Sequence, residues 1–160
     1  MRRALLVLAV FAGLLGVTPP ANAAVSASSA SYFVTRLGPE AVPGYTHVSG
    51  LGVSGQWQGW HLAMDYVVST DCFDVCPIEL MRWQLYDGER KVWGTCTADD
   101  YGFCVGAGIR IITNEVTIPL TITGGTTWMD SGTGEIGGHI LMPPETSPAF
   151  GAATLSLAPA

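Results

Sequence analysis

Between Val116 and Thr123 every second residue is branched and apolar: Val116, Ile118, Leu120 and Ile122, with Thr117, Pro119, Thr121 and Thr123 between them. Successive side chains of a strand point to opposite faces, so this segment turns one face to a core and the other to water. Pro119 has no N–H to give to a ladder, which assigns it to an edge or a bulge. Trp60, Leu62, Met64, Tyr66 and Val68 form a second alternating set, with His61 and Asp65 between its members. Further strands are expected over residues 31–36, 47–53, 78–86, 91–96, 105–112, 135–142 and 153–157. Turn residues separate them at Asp87-Gly88-Glu89, Gly124-Gly125 and between Asp130 and Gly134. No long window repeats at the helical period, and a short helical turn fits only residues 74–81. Many short strands punctuated this way predict an all-β fold, an antiparallel β-sandwich or a small β-barrel.

The N-terminus has a different composition. Met1-Arg2-Arg3 is basic, residues 4–17 are apolar and uncharged, and Ala21-Asn22-Ala23 is a small-x-small cleavage pattern. Together they predict a signal peptide over residues 1–23. The apolar run falls short of the roughly 20 residues that span a bilayer, and Pro19-Pro20 ends it. Residues 24–160 then form a single secreted, extracellular domain of 160 − 23 = 137 residues. Losing Arg2 and Arg3 leaves 7 − 2 = 5 basic residues against 13 acidic ones, a formal charge of −8. An acidic chain is repelled by nucleic-acid phosphates and anionic lipid heads, so neither nucleic acid nor a membrane is an expected partner after cleavage. Arginine outnumbers lysine six to one, which points to a GC-rich bacterial genome.

Export decides how Cys72, Cys76, Cys96 and Cys104 are read, because an oxidising compartment favours disulfides over thiolates. The preferred pairing is local, Cys72–Cys76 and Cys96–Cys104. Cross-pairing between the two regions is the alternative and would close longer loops. The spacings are not those of a zinc ribbon, and no metal or cofactor is called for.

Catalytic signals are sparse. Trp128-Met129-Asp130-Ser131-Gly132-Thr133 resembles the Asp-Ser/Thr-Gly-Thr segment of aspartic proteases over six residues. There, two such carboxylates share a proton, so a single copy would need a symmetric dimer. A hairpin turn accounts for the same residues. His47, His61 and His139 show no ligand spacing. The acids Asp71, Asp74, Asp87, Glu89, Asp99 and Asp100 crowd the cysteine loops and a nearby turn without the spacing of a calcium loop. The remaining signal is aromatic. If Gln56 to His61 continues a strand, Trp57 faces away from Trp60 and shares an outer face with His61. Trp57, Gln58 and His61 are then the candidate ligand-binding residues, an exposed ring with polar groups around it.

These observations favour a small secreted β domain that acts by binding an extracellular ligand, glycan or partner protein. The alternatives are a loop-presenting inhibitor of an extracellular enzyme or other interaction protein, offering a disulfide-cinched loop such as residues 73–75 or 97–103, and a secreted hydrolase whose site is assembled from residues distant in sequence.

Overall fold

The computed structural model describes residues 29–139 and 150–160. The predicted signal peptide and the prolines Pro143, Pro144 and Pro148 lie outside the described residues. Ten strands follow in order: β1 (Ser29–Leu37), β2 (Thr46–Gly55), β3 (His61–Val68), β4 (Val75–Cys76), β5 (Ile78–Asp87), β6 (Arg90–Thr95), β7 (Gly108–Arg110), β8 (Glu115–Gly125), β9 (Gly132–His139) and β10 (Phe150–Pro159). Every pairing is antiparallel. β8, β6, β5, β3, β2, β1, β10 and β9 neighbour one another in that order, and β9 returns to β8. The fold is a closed antiparallel barrel rather than a sandwich, and its strands follow one another around the wall in chain order. Closure pairs both long edges of the sheet, which would otherwise invite aggregation.

Alternation builds the core. Phe33, Val48, Leu62, Met64, Tyr66, Leu80, Trp83, Leu85, Ile118, Leu120, Ile122, Ile136, Leu155 and Leu157 are buried together. The register of β5 slips at Met81, so that Asp65 faces Arg82 while Tyr66 faces Leu80. A bulge of this kind bends a strand, as a barrel wall requires. Residues 74–81 hold β4 and the first part of β5, with Asp74 and Pro77 outside them, and not a helical turn.

The two ends of the barrel differ. At one end the connections are short turns: residues 56–60, 88–89 and 126–131. Trp57, Trp60 and Met129 from these turns fold into the core cluster. At the other end lie the connections 38–45, 69–77 and 96–114. Both disulfides are there: Cys72–Cys76, with Cα atoms 5.1 Å apart, and Cys96–Cys104, at 5.5 Å. The local pairing is the one formed.

The second disulfide marks a seam in the wall. β6 follows β8 only as far as Thr95 opposite Thr121. The chain then leaves the wall, and it re-enters as β7 between β4 and the first half of β8. Residues 105–112 are thus not one strand; only Gly108–Arg110 is, because 105–107 make the turn of re-entry. Pro119 sits in the gap where pairing to β7 has stopped at Thr117 and pairing to β6 has not begun. No ladder bond is required of it on that side.

Candidate functional site

The three residues singled out for ligand binding do not form one site. Gly55 (φ 81°) and Gly59 (φ 82°) turn the chain sharply between β2 and β3. Glycine adopts this backbone geometry without strain. Within the turn Gln58 N donates to Gly55 O at 3.2 Å and Trp60 N to Trp57 O at 3.0 Å. Trp57 is therefore on a turn, not a strand, and alternation does not govern its direction. Its ring is 2% exposed and meets Trp60 edge-on, with centroids 4.7 Å apart. Its backbone N donates to Ser31 Oγ at 2.8 Å. The expected aromatic platform at Trp57 is absent, and that ring is core. Gln58 is exposed at the turn. His61 lies on the outer wall, stacked on Tyr86 at 5.3 Å. A shallow cleft of about 410 Å³ lined by Val34, Ser49, Leu51, His61 and Tyr86 runs along that wall.

Sequence reasoning missed a cluster on the same wall. His47, Asp65 and Arg82 are cross-strand neighbours on β2, β3 and β5. Asp65 points outward, yet it is 2% exposed. One carboxylate oxygen meets His47 Nδ1 at 2.7 Å, and Arg82 Nε donates to the other at 2.5 Å. Burial alone would push this carboxyl up. The hydrogen bonds from Arg82 and His47 outweigh that effect and hold it below the ordinary carboxylate range. One row along, Tyr45 donates to Glu79, which raises the Tyr45 hydroxyl above its usual value. A cleft of about 300 Å³ lined by Gly38, Glu40, Tyr45 and His47 adjoins the cluster. Asp65 is the residue that the alternating pattern in β3 had placed on the wet face. Only the register reveals its partners, which lie 18 and 17 residues away in sequence.

The disulfide end carries the larger surface feature. Phe73, at the tip of the ring closed by Cys72 and Cys76, is completely exposed. Tyr101, at the tip of the ring closed by Cys96 and Cys104, is 87% exposed, and Ile112 in the next turn is 89% exposed. Val75, Val105 and Ile111 on the same connections are also exposed. These are held positions. Gly102 N donates to Asp99 O at 3.1 Å and Asp99 N to Phe103 O at 2.8 Å, with Gly102 at φ 92°. That is a type I turn closed by a glycine bulge, a tight hairpin tip. The Asp99 carboxylate also accepts the backbone N–H groups of Tyr101 and Phe103, both at 2.9 Å. The Phe73 ring is tied down where Ile111 N donates to Asp74 O at 3.1 Å and where Val75 pairs with Arg110. Cys104 N donates to Ile78 O at 2.8 Å and fastens the second ring to the root of β5.

Asp130 is exposed in the turn before β9, and its carboxylate meets only Ser131 Oγ, at 3.3 Å. Met129 beside it is core. Among the described residues no three His, Cys, Asp or Glu side chains converge to hold a metal ion. No protein-family model, no curated protein and no solved structure matches this chain.

Proposed function

We propose that this chain is an exported interaction protein whose barrel carries two disulfide-closed loops to a partner protein. The observation behind the reading is the pair of exposed aromatic tips, Phe73 and Tyr101, on rings at the same end of the barrel. Phe73, Tyr101, Val105 and Ile112 are all more than half exposed on connections at this end, against Trp128 on the turns of the other, and exposed apolar side chains gathered at one end favour a partner. An aromatic on a backbone held in place before binding spares the entropy of ordering the loop on docking, so it suits an anchor. Val34 and Leu51 on the outer wall are less exposed and sit directly opposite one another, as wet-face strand residues commonly do. The Ala21-Asn22-Ala23 pattern and the two disulfides support an extracellular setting.

The test uses immobilised mature protein and the secreted proteins of the producing organism. The wild type and a wall control, Val34→Ser with Leu51→Ser, should retain the same proteins. Phe73→Ser with Tyr101→Ser should lose them. Equal retention by the tip variant would refute the reading.

A hydrolase remains a second reading because of one observation, His47 fixed on buried Asp65 beside a cleft. A buried carboxylate orients an imidazole for proton transfer. The neighbouring Ser49 hydroxyl accepts from Arg36 at 3.3 Å. Turnover of nitrophenyl esters that disappears in His47→Ala would favour this reading, and no turnover by the wild type would remove it.

A further inference from the structure

Building on that reading of the disulfide end, we infer that the partner is a basic protein, with apolar sockets framed by lysine or arginine side chains. Each exposed aromatic is flanked by acids: Asp71 and Asp74 around Phe73, and Asp99 and Asp100 before Tyr101. Across residues 69–77 and 96–114 these four carboxylates face Arg110 as the only Lys or Arg. The opposite end is mixed, with Asp87, Glu89 and Asp130 beside Arg90 and Lys91, and Arg90 pairs with Asp87. The negative charge at the disulfide end therefore surrounds the apolar tips and does not merely follow from an acidic composition.

The chemistry selects among occupants. A second copy of the chain would bring like charge against like charge. Anionic lipid and nucleic acid are repelled for the same reason. Clefts of about 680 Å³ beside Val75 and Arg110 and about 350 Å³ beside Cys72 and Ile111 open at this end, but neither is lined by Phe73 or Tyr101, so the two exposed rings suit a partner that brings its own apolar pockets. A basic protein satisfies both features: its cations pair with the flanking carboxylates and can also lie over the Phe73 and Tyr101 rings. Opposite charge at an interface acts mainly on the encounter rate, while the buried anchor acts on dissociation.

The experiment compares three immobilised mature proteins, each first shown to be folded by its circular dichroism: wild type, Phe73→Ser with Tyr101→Ser, and Asp71→Asn with Asp74→Asn and Asp100→Asn. Asp99 is left intact because it holds the turn. Secreted proteins retained by the wild type and lost by the aromatic variant are identified by mass spectrometry, purified and measured by surface plasmon resonance. They should have isoelectric points above about 8, and the Asn variant should slow association about tenfold with little change in dissociation. Raising the salt should slow association to the wild type similarly. Acidic partners, or an association rate indifferent to the Asn substitutions, would overturn the basic-partner inference and leave the docking end standing. Retention that does not depend on Phe73 and Tyr101, or no retention, would overturn both.

Discussion

Trp57 and Asp65 show most clearly how a side chain's burial can differ from what strand alternation predicts. Trp57→Ala should cost about 3–5 kcal/mol in chemical denaturation, as for other buried aromatics cut to alanine. Gln58→Ala, one residue on and exposed, should stay within about 0.5 kcal/mol of wild type. Equal effects would return Trp57 to the surface. Asp65 is held by two partners on neighbouring strands, so Asp65→Ala leaves His47 and the more exposed Arg82 without their shared acceptor and should cost about 1–3 kcal/mol. Its folded carboxyl titrates below the unfolded value. The stabilisation is thus fully present above the ordinary Asp value of about 3.9 and is lost as pH falls through the lower folded value. The gap in unfolding free energy between wild type and Asp65→Ala should therefore narrow only in acid; a gap unchanged from neutral pH to pH 2 would contradict the assignment. Thr35 is the converse case. Its hydroxyl is buried without a partner among the described residues, so Thr35→Val should be neutral or stabilising by thermal melt. A large loss would mean that a bond to this hydroxyl exists. The sequence could not show either special role: the Trp57 turn depends on Gly55 and Gly59 breaking the strand, and the Asp65 cluster depends on the register of three strands.

At the level of elements the disulfides have separate tasks. On the chain-entropy view the Cys72–Cys76 ring stabilises by about 2 kcal/mol and the Cys96–Cys104 ring by about 2.6 kcal/mol. The second also returns the chain to the wall as β7. Cys96→Ser with Cys104→Ser should lower stability by roughly that amount and speed amide exchange in Gly108–Arg110 more than in β2 or β3. Uniform exchange across the barrel would show that the seam does not depend on the disulfide. The strongly alternating segments were legible from sequence: β8 runs through Val116, Ile118, Leu120 and Ile122 with all four buried, and β3 buries Leu62, Met64 and Tyr66. The local disulfides were legible too, since the members of each pair are only 4 and 8 residues apart. Residues 105–112 were not, because an apolar run interrupted by Gly106 and Gly108 reads alike as strand or turn until its neighbours are known. The choice between sandwich and barrel was also open, because it turns on β9 pairing with β8 as well as β10, and alternation is the same in either fold.

At the scale of the whole molecule, the chain divides into a self-sufficient barrel and the end proposed to meet a partner. The core cluster closes the barrel without any contribution from Phe73 or Tyr101. The side chains assigned to the partner should therefore be surplus to the fold, and this requirement can be checked before any partner is known. The sequence already offered residues 73–75 and 97–103 as loops that a partner could meet, because cysteines flank them; it could not show that Phe73 and Tyr101 are left outside the core. The direct measurement is the equilibrium unfolding of Phe73→Ser with Tyr101→Ser beside wild type, in denaturant and with both disulfides intact. Exposed substitutions change stability by about 0.5 kcal/mol or less each, so the double variant should fall within about 1 kcal/mol of wild type. A loss above about 2 kcal/mol would mean that the two rings hold the fold together, and the presenting end would lose its basis.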